Sequence, residues 1–281
     1  MGSNSRAIEL RVFSGRLHAL RSGRADGPPA MCVPGLSANC RSFDAIAATL
    51  ADGGHDVVAV DLRGRGRSPA TAPGTHGWRQ HAQDVLDGAA RLGFTSFDLV
   101  GHSMGAFVSM QAAALAPDRI RRLVLIDGAG APEPAALPPI LAAVQRLGVV
   151  YPTREAFCAV VRDAGAAQPW EGLWEAHYLD ELEDVPSGVR ARTSKEAVLE
   201  DLTYGSKQDA RTFWPQLTMP TLLVRAARPL LPDAGFIVGA ELRDAFLAAV
   251  PSARAVENDA NHYGVMAHPD ALRAITGFLT C

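Results

Sequence analysis

The stretch Gly101-His102-Ser103-Met104-Gly105 fits the pattern Gly-x-Ser-x-Gly, and the rest of the chain is interpreted around it. The apolar residues Phe97, Leu99 and Val100 precede it, and apolar residues at helical spacing follow it over 106–114. A serine on a tight turn between a strand and a helix has strained backbone geometry, and only small neighbours let the two elements pass so closely. The stretch therefore predicts a strand, a sharp turn that exposes Ser103, and a helix.

The composition is that of an ordinary globular protein. The 281 residues, 48% of them hydrophobic and 20% charged, are enough to bury a sizeable core as one domain with an insertion. No run approaches the roughly 18 apolar residues of a membrane span. The net charge of -3, without a block rich in Lys and Arg, gives no electrostatic footprint for nucleic acid. We therefore expect neither a membrane nor a nucleic acid as partner.

The cysteines and the first residues indicate the compartment. Cys32, Cys40, Cys158 and Cys281 have neither the spacing of a zinc site nor that of a disulfide framework. The first six residues lack the apolar core of a signal peptide. We expect reduced thiols, no metal site and a cytoplasmic protein.

Strand and helix patterns alternate along most of the chain. Short apolar runs, bounded by Gly, Pro or Asp, are typical of strands buried on both faces, and they lie at 30–33, 57–60, 123–126 and 221–224. Segments with helical periodicity separate them, which predicts an α/β fold with a mostly parallel sheet covered on both faces. Residues 8–13 and 17–20, joined by Ser14-Gly15-Arg16, predict a hairpin and thus an antiparallel edge.

The segment 131–210 interrupts this alternation. It has no clear strand run, but it has clustered prolines and the large aromatic residues Trp170, Trp174 and Tyr178. We predict a helical cap over the carboxyl edge of the sheet, where open α/β folds bind ligands. The core domain would then comprise 1–130 and 211–281. Ordinary connecting helices are the alternative, which the length of the segment disfavours.

Ser103 needs a base, because a serine hydroxyl is a weak nucleophile near neutral pH. His262 follows the apolar residues 253–256 and precedes the last helical pattern, so it lies on a loop at the edge of the sheet predicted for Ser103. It also fits the chain order serine, acid, histidine. The competing histidines His102, His177 and His268 do not combine a loop position with this chain order, and a structural role is the alternative interpretation for each.

Five segments of the chain, taken together and in order, resemble the α/β-hydrolase family, with a cap inserted after the sixth strand. The resemblance spans nearly the whole chain and implies an eight-stranded type of sheet and a serine hydrolase without a cofactor, acting on an ester, thioester or lactone through an acyl-enzyme. It is carried by Val33-Pro34-Gly35-Leu36, Asp61 to Ser68, Gly101 to Gly105, Leu125-Ile126-Asp127 and Asn261-His262-Tyr263.

The resemblance implies a role for single residues. Ser103 matches the nucleophile and His262 the base, and the backbone N–H groups of Leu36 and Met104 match the oxyanion hole. The family usually has His-Gly where this chain has Pro34-Gly35. The change is tolerable because the amide and not the imidazole stabilises the oxyanion.

The acid of the triad is the least determined residue. Many relatives carry an aspartate after the seventh strand, yet residues 225–232 contain no carboxylate. Asp127 ends the sixth strand and resembles the acid position of some family members, so it is preferred over Asp233. Glu257 and Asp259 are too near His262 in sequence to be preferred, and Asp61 has a structural role in the family.

Arg63, Arg65 and Arg67 lie in a segment with two glycines that lacks the Gly-Lys-Ser/Thr ending of a phosphate-binding loop. In the family it is structural, beside the entrance to the active site. A small substrate with an apolar acyl or alcohol group is expected, and the candidate pocket residues are Phe107, Trp170, Trp174, His177 and Tyr178.

Two other classes of function remain open on this scaffold. A carbon–carbon bond hydrolase or lyase would use the same serine or histidine for proton transfer, and turnover of an ester against C–C cleavage separates the two. A ligand receptor with a vestigial triad would leave Ser103 unreactive to a fluorophosphonate probe.

Overall fold

An eight-stranded sheet forms the centre of the computed structural model, which describes residues 5–280. Its strand order is β1-β2-β4-β3-β5-β6-β9-β10, and β7 and β8 form a separate ribbon. The strands are β1 (Arg6–Val12), β2 (Gly15–Gly23), β3 (Pro29–Val33), β4 (Asp56–Val60), β5 (Phe97–His102), β6 (Ile120–Ile126), β7 (Leu182–Val185), β8 (Gly188–Ala191), β9 (Thr221–Ala226) and β10 (Ala253–Asn258).

The pairing of the strands confirms the predicted fold class. β1 pairs antiparallel with β2, and β2 pairs antiparallel with β4, so the antiparallel part lies at one edge. All other pairs within the eight-stranded sheet are parallel. The predicted hairpin is present, but its turn lies at Phe13 and Ser14 because β2 already begins at Gly15, whose φ of +133° suits glycine.

Helices cover both faces of the sheet. Successive strand residues point to opposite faces, so Met31 packs with α2 and α3, whereas Cys32 packs with α1 and α9. The helices are α1 (Asp44–Asp52), α2 (Trp78–Arg91), α3 (Met104–Leu115), α4 (Leu137–Gln145), α5 (Arg154–Asp163), α6 (Glu175–Asp180), α7 (Lys195–Gly205), α8 (Ala240–Ala249) and α9 (Pro269–Thr280).

The residues 131–210, here called the cap segment, contain α4 to α7 and the antiparallel ribbon of β7 and β8. The ribbon is a departure from the expected all-helical insertion. Its strands have only four residues each, and Glu183, Asp184 and Arg190 interrupt any apolar run. Such short polar strands carry no period-2 hydrophobic signal.

Membrane-spanning helices and the state of the cysteines were also subjects of the sequence analysis. No helix within residues 5–280 is long and apolar enough to cross a membrane. Cys32, Cys40 and Cys158 are free thiols, and the first two are buried. Cys281 and the residues before Ser5 lie outside the described part of the chain.

Candidate active site

Ser103 stands on a sharp turn between β5 and α3. Its φ is +56°, in the left-handed region, and its N–H donates to the carbonyl of Ile126 at 3.0 Å. A Cβ at Gly101 would lie 2.3 Å from the Gly105 carbonyl oxygen, and one at Gly105 would lie 2.0 Å from that of Val33. The turn therefore requires both glycines of the Gly-x-Ser-x-Gly pattern.

The loop after β3 lies directly against the serine. A Cβ at Gly35 would be 3.2 Å from Ser103 Cβ and 3.6 Å from Ser103 Oγ. Leu36 is the next residue, and Met104 opens α3, where the first backbone N–H groups have no partner inside the helix. Both amides that were predicted to form the oxyanion hole are thus on segments that adjoin Ser103.

His262 is paired with Asp127. Nδ1 of His262 lies 2.8 Å from Asp127 Oδ2, and the Ala226 N–H donates to Asp127 Oδ1 at 3.1 Å. Asp127 follows β6, is 1% exposed and has a φ of +45°, so its side chain is held at one position. Asp233, the alternative acid, is exposed. Of the two candidates, the structure brings Asp127 to His262.

His262 contacts the turn that carries Ser103 through His102, the residue before the serine. The rings of His102 and His262 lie 4.5 Å apart, and His102 Nε2 lies 3.1 Å from the His262 carbonyl oxygen. Burial holds the pKa of His102 well below its usual value, so this ring is neutral and donates to that carbonyl. Among the hydrogen bonds of residues 5–280, none joins Ser103 Oγ to His262. Catalytic hydrogen bonds are often long or poorly aligned before substrate binds.

Four of the predicted pocket residues come together beside the His262 loop. Trp170 stacks on Tyr178 at 5.7 Å, His177 meets Tyr178 edge-on at 4.9 Å, and Trp174 Nε1 donates to the Tyr263 carbonyl at 3.2 Å. Trp170, Trp174 and His177 are buried, and burial lowers the pKa of His177 to about 4. This cluster joins the cap segment to the loop that carries His262.

Phe107 is not part of that cluster. Its ring packs on Trp78 of α2 at 4.7 Å. It is half-buried and belongs to the core on the α2 and α3 side of the sheet.

The three arginines of the glycine-containing segment are held by carboxylates. Arg63 pairs with Asp84, Arg67 with Asp180, and Arg65 with Asp201 of α7. Arg65 is fully buried, and its Nε also donates to the Leu36 carbonyl at 3.0 Å. These contacts agree with a structural role for the segment.

Sequence reasoning missed two buried acids of the cap segment. Asp201 accepts hydrogen bonds from Arg65 and from His81 Nε2, the latter at 2.9 Å. Glu181 accepts from Asn39 Nδ2 at 2.8 Å and from the Thr193 N–H at 2.9 Å. Both acids lie in stretches rich in other charges, and a sequence does not distinguish a buried carboxylate there from a solvated one.

His18, Cys40 and Asp61 are the one group of three metal-ligand side chains found within the described residues. The Asp61 oxygens already accept hydrogen bonds: Oδ1 from the Cys40 N–H at 2.6 Å, and Oδ2 from the Arg67 N–H at 2.9 Å, with His18 Nδ1 at 2.8 Å. Burial and the Asp61 charge raise the pKa of the Cys40 thiol well above its usual value, which disfavours the thiolate that binds metals. These contacts indicate that the three side chains stabilise the local structure and do not form a metal centre.

Comparison with known proteins agrees with this architecture. Residues 28–155 match the family model of the alpha/beta hydrolase fold. N-formylmaleamate deformylase of Pseudomonas putida is 31% identical over 222 residues, which cover 76% of this chain and 75% of the relative. The 2-(acetamidomethylene)succinate hydrolase of Mesorhizobium japonicum is 28% identical over 278 residues, covering 97% and 95% of the two chains.

A solved structure resembles the fold throughout. The crystal structure of an E-2-(acetamidomethylene)succinate hydrolase superposes with a TM-score of 0.88 and 25% identity, over 99% of this chain and 100% of that one. With the sheet order, the serine turn and the deformylase relative, this leads to one conclusion: the chain belongs to the α/β-hydrolase fold family and is a hydrolase.

Proposed function

We propose that this protein is a serine hydrolase that cleaves a carboxylic ester, thioester or lactone of a small molecule, with Ser103, His262 and Asp127 as its triad. The observation that carries the proposal is the 2.8 Å contact between His262 Nδ1 and the buried Asp127 carboxylate, beside the strained turn that presents Ser103. An acid, an imidazole and a hydroxyl are the side-chain groups that acyl transfer requires.

In the first half-reaction, Ser103 Oγ attacks the carbonyl carbon of the substrate while its proton passes to His262 Nε2. The negative charge on the former carbonyl oxygen is stabilised by the N–H groups of Leu36 and Met104 and by the positive end of α3. Asp127 accepts the hydrogen bond from Nδ1–H and stabilises the imidazolium. The bond to the leaving group then breaks, and the leaving oxygen or sulfur takes the proton from His262.

In the second half-reaction, water replaces the leaving group. His262 Nε2 takes a proton from the water as its oxygen attacks the acyl carbon. The ester bond to Ser103 breaks, Oγ regains the proton from His262, and the carboxylic acid leaves. This cycle needs the chain's own residues and water.

A small amide or carbamate is a second candidate for the cleaved bond. Two kinds of relative favour it by their names, N-formylmaleamate deformylase and the putative carbamate hydrolases, one of which is 34% identical over 115 residues. The same steps apply, except that His262 must protonate a leaving nitrogen. An ester and the matching amide, assayed side by side, separate the two candidates.

The nucleophile is tested with Ser103→Ala and a short p-nitrophenyl ester. Removing Oγ should lower kcat by at least about 1000-fold, because the acyl-enzyme can no longer form. Ser206→Ala is the matched control, since Ser206 is exposed at the end of α7 and should retain full activity. Unchanged turnover in Ser103→Ala would disprove the mechanism.

The acid is tested by comparing Asp127→Asn with Asp233→Asn. The amide at 127 keeps the shape but cannot stabilise the imidazolium, and a loss of about 100- to 10000-fold in kcat is expected. The exposed Asp233 serves as the control and should tolerate the change. The reverse result would move the acid to Asp233.

A further inference from the structure

Arg146 lies at the end of α4, the apolar first helix of the cap segment. Val144 and Leu147, on either side of it in sequence, are buried in a small apolar cluster against which Leu36 packs. Leu36 is the residue that the proposed mechanism assigns to the oxyanion hole. The end of α4 is therefore next to the loop that adjoins Ser103.

Two tyrosines lie on the other side of the site. Tyr263 follows His262 directly, and the two rings meet edge-on at 5.7 Å. Trp174 packs edge-on against Tyr263 at 4.9 Å, and Trp170 stacks on Tyr178 at 5.7 Å. These aromatic contacts hold both rings in place. Tyr178 and Tyr263 are here called the tyrosine pair.

Arg146 is the positive charge that acts on the tyrosine pair. Burial raises the pKa of both phenols, and the Arg146 guanidinium opposes this rise in both. The charge of Arg146 thus acts on both phenols, and Tyr263 lies beside the proposed base.

Arg146 differs from the other arginines of the cap segment. Each of the other four has a carboxylate partner: Arg154 with Asp184, Arg162 with Asp163, and both Arg190 and Arg192 with Glu183. Within residues 5–280, the half-buried Arg146 side chain has no ion pair and no hydrogen bond. A half-buried guanidinium without a counter-charge is costly unless an anion joins it.

We propose that Arg146 and the tyrosine pair form a carboxylate-binding subsite beside Ser103, so that the substrate is a small acyl compound with a free carboxylate away from the cleaved bond. A guanidinium binds a carboxylate through two parallel N–H donors, and phenol hydroxyls add donors at its side. The inference rests on the proposed function, because it takes Ser103 as the point from which the substrate extends.

The test compares the half-esters monomethyl succinate and monomethyl glutarate with the corresponding neutral dimethyl esters. The acyl chains are the same within each pair, so the ratio of the two kcat/KM values measures recognition of the carboxylate. The wild-type protein should prefer the anionic ester of at least one pair. Arg146→Gln should lower this ratio by about 10- to 100-fold, as expected for a lost charge-assisted contact. Arg146→Lys should retain part of it.

Arg162→Gln is the matched control, because Arg162 is an exposed arginine of the same cap segment and its loss should leave the ratio unchanged. Unfolding temperatures of all variants identify any that fail to fold. An equal effect of Arg146→Gln on both esters of each pair, or no effect, would overturn the subsite.

Binding of succinate and glutarate, measured by calorimetry, keeps the subsite testable should the protein turn over none of these esters. Failure of Ser103→Ala to alter hydrolysis argues against the proposed function, whereas this binding reports on Arg146 alone. Binding that Arg146→Gln weakens at least 10-fold supports the subsite. Binding that is absent in the wild-type protein, or equal in both proteins, refutes it.

Discussion

Arg65 Nε donates a hydrogen bond of 3.0 Å to the carbonyl oxygen of Leu36, in the loop beside Ser103. The same guanidinium donates to Asp201 of α7, and Asp201 also accepts from His81 Nε2 at 2.9 Å. Arg65 and His81 are 0% exposed and Asp201 is 1% exposed. One buried ion pair therefore fixes the Leu36 peptide and the position of α7 together.

Asp201→Asn should destabilise the protein by about 3–5 kcal/mol, because it leaves the Arg65 charge buried without its partner. Denaturation in urea measures the loss, and Asp163→Asn, which alters an exposed pair at 3.7 Å, should change stability by less than about 0.5 kcal/mol. If Arg65 positions Leu36, kcat should also fall while KM changes little. A loss of stability with unaltered kcat at low temperature would limit the network to a structural role.

The acid side of the stability curve tests the same carboxylate. Burial alone would raise the pKa of Asp201, but His81 and Arg65 outweigh it and lower this pKa to about 2, from the ordinary value of 3.8. Because the folded pKa is the lower one, its contribution is present above about pH 4 and is lost as pH falls towards 2. The Asp201→Asn variant should lack this part of the acid dependence.

Glu181 should make the protein less stable as pH rises from about 4.5 to 7. Burial raises its pKa to about 7, from 4.5, although Asn39 and the Thr193 N–H both donate to it. Between these two values the unfolded chain has lost the proton and the folded protein retains it, so folding becomes less favourable with increasing pH, by up to roughly 3 kcal/mol. Above pH 7 the effect is constant.

Glu181→Gln removes the titrating group and should flatten this part of the curve, measured as unfolding free energy in urea at pH 5, 6, 7 and 8. Glu171→Gln, at an exposed position, is the control and should keep the wild-type slope. A wild-type slope in the Glu181→Gln variant would mean that another group is responsible.

Two helical glycines should respond in opposite ways to alanine. At Gly105 the new methyl group would lie 2.0 Å from the Val33 carbonyl oxygen and 2.6 Å from that of Pro34, so Gly105→Ala should cost at least about 2 kcal/mol. Gly277 is an exposed residue of α9, and apart from its chain neighbours and the nearby backbone of its own helix no atom lies within 4 Å of the new Cβ, so Gly277→Ala should stabilise by about 0.5–1 kcal/mol. Thermal unfolding compares the two, and equal shifts would contradict the close approach at the turn.

The parts of the fold that the sequence predicts are those with local signals. The parallel strands are short apolar runs, and the turn at Ser103 is marked by the two glycines that steric contact demands. The turn of the hairpin lies one to two residues earlier than predicted, since a turn of Phe13 and Ser14 has no distinctive composition. The sequence does not predict the ribbon of β7 and β8, because backbone pairing between the two strands stabilises it and neither strand has an apolar pattern.

The candidate site is less predictable, because it depends on contacts between distant segments. Asp127 was preferred over Asp233 from its place at a strand end, and its contact with His262 is a long-range result of the sheet order. Nothing in the sequence around Arg146 indicates that its side chain is half-buried and has no ion pair within residues 5–280, since α4 is merely apolar. The packing of the Phe107 ring is likewise not predictable from the sequence. Helical spacing predicts a position near Ser103, but the ring packs on Trp78, which lies on another helix.

The order of strands also has a consequence for a chain that is still being synthesised. β3, β5 and β6 are adjacent in the sheet and emerge early, whereas His262 follows β10, which pairs with β9 at the far edge. Under the proposed mechanism, a nascent chain can form the serine turn and still lack its base until the last strand has joined. The nascent chain would thus lack hydrolytic activity during most of its synthesis. It would become active only when the sheet is complete.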